Sequence, residues 1–396
     1  MYKLYCRLYQ QSLKIATNFL PWRQPELLNS LGRLPDLIKT QHIDHVLIVT
    51  DKGILSIGLL DPLTKGLEEK EIKYTIYSDT VPNPTIENIE EALKLYHSGQ
   101  CQGIIAFGGG SPMDCAKGVG ARVARPNKSI PQMRGVLKVL KKLPPLFAIP
   151  TTAGTGSEGT LAAVVTNSKT HEKYALMDTA LIPHYAVLDP QLTVKLPPAI
   201  TAATGMDAMT HAVEAYIGRS STRETKQYSI EAIKIIFQNL YEAYSNGSNI
   251  TAREQMQKAA YLAGLAFTRA YVGNIHAIAH TLGGFYSTPH GLANAVILPY
   301  VLDYYGETIY RPLAELADAA GLSSGSQTDE QKAKKFIEAI KKLNRDMAIP
   351  EKLDGIRESD IPLMAERALK EANPLYPVPV IFNKQDMFQL YHMIKG

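Results

Sequence analysis

GIIAFGGGSPMDCAKG, residues 103–118, runs from a short apolar stretch into three glycines and then into Ser-Pro. The apolar stretch has the length and composition of a buried strand. Gly108, Gly109 and Gly110 permit a tight turn and close approach of backbone to a ligand. Ser111 suits a helix cap and Pro112 the first helical position, so the pattern predicts a helix from Pro112. The N–H groups left unpaired at such a helix start are what a pyrophosphate requires. A plain strand–helix turn would look the same, and the loop is neither G-x-G-x-x-G nor a Walker A sequence.

The neighbouring sequence repeats the arrangement. LFAIP (146–150) runs into a second polar loop, Thr151-Thr152-Ala153-Gly154-Thr155-Gly156-Ser157, which adds hydroxyl donors. Further β-type runs are HVLIVT (45–50), IKYTIY (72–77) and AVLDP (186–190), with an amphipathic helix expected at about 85–98. Short apolar runs separated by helices predict a parallel sheet covered on both faces. Two polar loops at the carboxyl ends of such strands favour nucleotide binding. Asp51, at the end of HVLIVT, could bond ribose hydroxyls and would repel a 2′-phosphate, which favours NAD over NADP; it could equally start the D-K-G turn.

After Pro197 and Pro198 the strand signals stop. Helical patterns follow at about 199–217, 223–244, 251–269, 274–285, 291–305, 309–320, 328–347, 359–371 and 383–394. Thr328 and Gln331 have capping-box spacing, and Gly218 stands where a helix should end. The expected organisation is an α/β nucleotide-type domain, 1–197, followed by an all-helical domain, 198–396.

The helical part carries the metal-type residues. Asp207 and His211 in MDAMTHAVEAY are four apart, so on a helix both face one ion. NIHAIAHTLGGFYSTPHGLANAV adds His276, His280 and His290 within fifteen residues of mostly apolar sequence. Isolated histidines in such surroundings are usually satisfied core residues; three together with a D-x-x-x-H pair point to a metal. Ligands drawn from Asp and imidazole suit Fe(II) or Zn(II) and argue against calcium or electron-transfer copper. One of the three histidines is then left to face substrate.

Composition narrows the function classes. The 396 residues are 45% hydrophobic and 20% charged, with a formal charge of +4 and no long like-charge run, so neither nucleic acid nor an anionic membrane is an expected partner. Cys6, Cys101 and Cys115 are odd in number and widely spaced, which fits a reducing compartment. No stretch has membrane-spanning length or signal-peptide character, and a cytoplasmic protein is expected.

GGGSPMDCAK, IPTTAGTGSE, ATGMDAMTHAVE and HAIAHTLGGFYSTPHGLANA resemble the signature segments of the iron-containing (group III) alcohol dehydrogenases. VTDKG, VPNPT and NRDMAIPEKL match in kind, and lactaldehyde/1,2-propanediol and 1,3-propanediol oxidoreductases are the members the chain most looks like. The resemblance implies a dehydroquinate-synthase-like fold, with a Rossmann-like parallel-sheet domain and a helical domain, and a homodimer with one divalent iron per subunit. It implies Asp207, His211, His276 and His290 as metal ligands and His280 beside substrate and nicotinamide. On the cofactor side it implies Asp51, Asn83, Gly109, Gly110, Ser111, Pro112, Met113, Asp114, Thr151, Thr152, Ala153, Gly154, Thr155, Val164 and Lys173, the last two on a hairpin. Three positions depart from the family pattern. Gly159 should loosen the strand after it, Thr281 replaces Pro or Ala, and LKIATNFLPWRQPELL replaces a short opening strand.

The activity expected is reversible hydride transfer between a small alcohol or aldehyde and NAD. A polyol-type dehydrogenase on the same fold is one rival. A nucleotide- and metal-binding protein without turnover is the other.

Overall fold

A computed structural model describes residues 1–17, 19–170 and 172–396. The chain falls into two compact units. One comprises Pro21–Thr152 and Gly156–Lys195, the other Met1–Leu20, Ala153–Thr155 and Leu196–Gly396. The expected division at 197/198 differs from this at the N-terminus and in the second polar loop. α1 (Tyr2–Thr17) is counted with the helical unit because its polar side chains bond there. The Arg7 guanidinium donates to the carbonyls of Val378 (2.6 Å) and Pro379 (2.8 Å), and the Gln10 amide donates to Tyr376 (2.7 Å). Partners more than 360 residues away leave no trace in local sequence.

The α/β unit begins with β1 (Glu26–Leu28), α2 (Leu34–Thr40), β2 (His45–Val49), α3 (Lys52–Ser56), α4 (Asp61–Glu69) and β3 (Lys73–Tyr77). It continues through α5 (Ile86–Ser98), β4 (Gly103–Gly108), α6 (Gly110–Ala124), β5 (Gly135–Val136) and β6 (Leu146–Pro150). β7 (Ala162–Asn167), β8 (Glu172–Met177) and β9 (Tyr185–Val187) complete it. Six strands form a parallel sheet in the order β1-β9-β6-β4-β2-β3. A small second sheet, β5-β8-β7, contains the antiparallel hairpin β7–β8.

The continuous apolar runs are explained by burial on both faces. Leu47, Val49, Ile104, Ala106, Leu146 and Ala148 enter one core; Val46, Ile48, Ile105, Phe107, Phe147 and Ile149 enter another. Alternate residues of the same strands therefore serve opposite faces, as a parallel sheet covered by helices demands. The chain moves outward from β2 to β3 and then returns to β4 on the other side of β2. The β2/β4 carboxyl ends are thus a switch point, where ligands of open α/β sheets bind. Asp51 follows β2 there and Gly109 follows β4.

Three details correct the sequence reading. α6 starts at Gly110, with Gly109 as its cap, so Ser111 is inside the first turn and does not cap. AVLDP gives only two strand residues, Ala186 and Val187, because the Asp189 carboxylate turns to accept from the Gln191 N–H and caps a short 3-10 turn. Gly159 does not interrupt the next strand: β7 pairs with β8 along all six residues.

The helical unit contains α7 (Pro198–Ile217), α8 (Arg223–Ser245), α9 (Ile250–Ala270), α10 (Asn274–Tyr286) and α11 (His290–Tyr305). It ends with α12 (Tyr310–Ala319), α13 (Asp329–Asp346), α14 (Ile361–Ala372) and α15 (Lys384–Ile394). The expected Thr328 capping box is formed, and the Gly218 N–H closes α7 on the Glu214 carbonyl. α7 is buried along nearly its whole length, which explains its weak amphipathicity. No described helix is long and apolar enough to cross a membrane.

Candidate metal centre and nucleotide loops

α7 places Asp207, His211 and Glu214 at i, i+4 and i+7, one above another on a single face. α10 carries His276 in its first turn and His280 one turn later, and α11 begins with His290. α11 can come this close to α7 because residue 291 is glycine: a Cβ there would run into the backbone of Ala203. Three helices thereby bring Asp207, His211, His276 and His290 together, with one ligand atom of each within 4.8 Å of all the others.

The electrostatics of this cluster are those of a cation site. Asp207 Oδ1 lies 3.5 Å from His290 Nε2 and 4.0 Å from His276 Nε2. The His211 ring stacks between Phe267 (4.2 Å) and His276 (4.5 Å), and burial holds it neutral, well below its ordinary pKa. A neutral imidazole is the ligating form. Donors about 2.0–2.2 Å from one tetrahedral ion stand about 3.3–3.6 Å apart, so the widest pair of the cluster would close by about an ångström on binding. Three nitrogens and one carboxylate oxygen suit Fe(II) or Zn(II).

A shell of partners orients these donors. Glu214, almost fully buried, accepts from His276 Nδ1 (2.6 Å) and from the backbone N–H groups of Gly273 (2.9 Å) and Ile275 (2.8 Å). That assigns the His276 proton to Nδ1 and leaves Nε2 as the donor nitrogen. The Asn294 amide donates to Asp207 Oδ1 (2.7 Å) and lies 3.2 Å from Nε2 of both His276 and His290. Sequence reasoning missed both residues. Glu214 was legible as the next same-face position after Asp207 and His211; Asn294, one turn after His290, had no signal of its own.

His280 lies beside the cluster, its ring stacked on His290 at 5.1 Å. Its Nδ1 bonds Glu371 Oε1 at 2.6 Å, and the Tyr376 hydroxyl donates to the same oxygen at 2.8 Å. The atypical Thr281 spends its hydroxyl on the Ile278 carbonyl (2.7 Å) and on the Tyr391 hydroxyl (2.6 Å), away from the histidines.

In the α/β unit, Gly108 has φ +152°, and a Cβ there would meet Pro112 at 2.6 Å, so the turn into α6 requires glycine. Gly109, Gly110, Ser111 and Pro112 form the cap and first turn of α6, and the Thr151 N–H bonds the Gly108 carbonyl (3.0 Å). Asn83 is brought to the same loop: its N–H donates to Ser111 Oγ (3.1 Å) and its side-chain oxygen accepts from Lys173 Nζ (2.8 Å). Asp51 caps α3, accepting from the Ile54 N–H at 3.0 Å. Thr152 flanks Gly109, whereas Ala153, Gly154 and Thr155 are counted with the helical unit, where Gly154 abuts Thr204.

Met113 and Asp114 face inward. Met113 is a core residue, and the Asp114 carboxylate accepts from Ser157 Oγ (3.1 Å) and from the Val164 N–H (3.1 Å). One turn on, buried Lys117 reaches five oxygens of Ser157, Thr160 and Ala162 at 2.7–3.0 Å. Burial lowers its pKa to about 8, against the pull of Asp114 and Glu158. Asp114 and Lys117 therefore brace the loop from below, and the i, i+3 spacing in PMDCAK was the available signal.

Comparison with known proteins agrees with this geometry. The family model "Iron-containing alcohol dehydrogenase" matches residues 28–190, and "Fe-containing alcohol dehydrogenase family, C-terminal" matches 201–394. The 1,3-propanediol dehydrogenase of Klebsiella pneumoniae is 40% identical over 349 residues, covering 87% of this chain and 90% of that protein. A crystal structure of a 1,3-propanediol oxidoreductase superposes with TM-score 0.91 at 36% identity, covering 95% of this chain and all of that one. The sulfoacetaldehyde reductase of Bifidobacterium kashiwanohense, solved in complex with NAD+, gives TM-score 0.84 at 26% identity, covering 95% of this chain and 98% of that one.

Proposed function

The chain belongs to the iron-containing alcohol dehydrogenase family, and from that premise we propose that it interconverts a small neutral alcohol or diol and its aldehyde, with NAD as hydride acceptor. The observation that carries this reading is the convergence of Asp207, His211, His276 and His290 from three helices. These four side chains would hold one divalent ion, Fe(II) in the first instance and Zn(II) as the alternative. Such an ion supplies Lewis-acid polarisation of the alcohol oxygen.

The chain's own residues do the rest. His280 takes the alcohol proton in oxidation and returns it in reduction, the general acid–base role an imidazole commonly fills. Backbone N–H groups of Gly109 to Pro112, at the start of α6, receive the pyrophosphate; proline contributes only its fixed φ. Asn83, Ser111 and Lys173, already bonded together, line the same loop with Thr151 and Thr152. Asp51 selects NAD over NADP by charge. No Lys or Arg occurs between Asn274 and Asn294, which favours a neutral substrate over a phosphorylated one. A homodimer in the cytoplasm completes the proposal; the three free, buried cysteines are compatible with a reducing compartment.

The test is NADH formation by Fe(II)- or Zn(II)-loaded protein across a panel of small alcohols and diols, with the aldehydes and NADH in reverse. The expected outcome is metal-dependent turnover with one or more C2–C4 alcohols. Absence of turnover with every alcohol and aldehyde, in protein carrying one metal per chain, overturns the reading.

A further inference from the structure

His276 and His280 stand on successive turns of α10, and each is tied through Nδ1 to a carboxylate at 2.6 Å. The two carboxylates differ in their surroundings. Glu214 is sealed in, its side chain 2% exposed, and its oxygens also take two backbone N–H groups. Glu371 comes from α14, its side chain is 29% exposed, and its Oε1 also accepts from the Tyr376 hydroxyl. The sealed carboxylate serves a histidine assigned to hold an ion. The water-reaching one serves the histidine assigned to exchange a proton.

We propose that Glu371, steadied by Tyr376, is the positioning residue for His280: it holds the Nδ1–H tautomer so that Nε2 presents a lone pair. This rests on the reading of His280 as proton acceptor. The two partners stand 91 positions apart in sequence, which rules out a merely local pairing. A carboxylate on Nδ1 does three things for an imidazole: it fixes the ring's rotation, fixes the tautomer and stabilises the imidazolium that forms. In oxidation the hydride leaves carbon for NAD, the hydroxyl proton moves to Nε2, and the positive charge on the ring develops beside Glu371. Release of that proton to water regenerates the neutral ring. Glu371 touches none of the reacting atoms and acts only through His280.

Three variants of the metal-loaded enzyme separate this role from simple packing. Glu371→Gln keeps an acceptor oxygen but removes the charge, Glu371→Leu removes both, and Tyr376→Phe frees the carboxylate. The expected order of kcat loss is Leu greater than Gln greater than Phe, with Gln reduced about 10–100-fold. KM for alcohol and NAD should stay within about twofold, and metal stoichiometry should be unchanged. In a His280→Ala background, Glu371→Gln should cost nothing further. Nitrogen-15 NMR of the zinc-loaded protein, needing no turnover, should show His280 protonated at Nδ1 and should show that preference lost in Glu371→Leu. A wild-type His280 protonated at Nε2, an undiminished kcat in Glu371→Gln, or an equal loss in the His280→Ala background overturns the proposal. Inactive wild-type enzyme with the Nδ1–H tautomer would instead overturn the functional reading and leave the tautomer assignment standing.

Discussion

The α/β unit buries Lys117 among five oxygens, with Asp114 and Glu158 nearby, whereas the helical unit gathers Asp207 and three imidazoles whose donor atoms lie close together. Both are concentrations of acceptors in a low-dielectric interior, and both need positive charge. In the first, the cation is covalently part of the chain: the Lys117 ammonium satisfies the carbonyls of the 157–162 segment. In the second, the neutral Asn294 amide donates to Asp207 at 2.7 Å. The first cluster contains its own counter-charge and is finished on folding; on the proposed reading the second would be completed by an ion.

The largest expected effect breaks the second cluster. Asp207→Ala should lower kcat/KM by about 10³-fold or more, because Lewis-acid polarisation is worth several kcal/mol, and elemental analysis should show loss of bound metal. Full metal content with near-normal turnover would abolish the contrast. Lys117→Met should act on stability instead. Leaving Asp114 without its buried partner should cost about 3–5 kcal/mol, read from the urea midpoint, with metal stoichiometry unchanged.

Metal removal sharpens the comparison. Chelation should lower the apparent stability of the wild type by about 2.7 kcal/mol if the metal had been present at 100 times its Kd. Lys117→Met protein should lose the same increment, since its brace holds no metal. An unchanged melting temperature on chelation would mean that the histidine cluster is complete without an ion. The smallest effect concerns Cys115, buried beneath the first loop, whose thiol burial pushes up to about 12. At pH 8, far below that value, it stays protonated. Native protein should react with an aromatic disulfide at Cys115 no faster than it unfolds, as labelling followed by mass spectrometry would show.

Local pattern was enough wherever the physics was local. The cores of the runs, 46–49, 104–107 and 146–149, are strand residues buried on both faces, so each had to be apolar and the signal was continuous. Most of the helices after Pro198 carried a 3.6-residue period, with the Thr328 box and Gly218 marking ends. Asp207 and His211 could be paired because one helix turn relates them. Ser111 misled because Gly109 meets the same extended geometry at the cap without a side-chain bond, which frees the Ser111 hydroxyl to accept from Asn83.

What sequence alone determined, then, is the pair of glycine- and threonine-rich loops at strand ends, the run of helices and the chemical type of the candidate metal cluster. Tertiary structure alone decided the attachment of α1 to the helical unit, made by side chains bonding carbonyls at 376–379. It decided the approach of His290 to Asp207, which depends on glycine at 291 packing against Ala203. It also decided the different partners of His276 and His280, since Glu214 and Glu371 lie 62 and 91 residues away. Two histidines one turn apart are equivalent to any rule of spacing; they became distinguishable only when folding put a sealed carboxylate beside one and a water-reaching carboxylate beside the other.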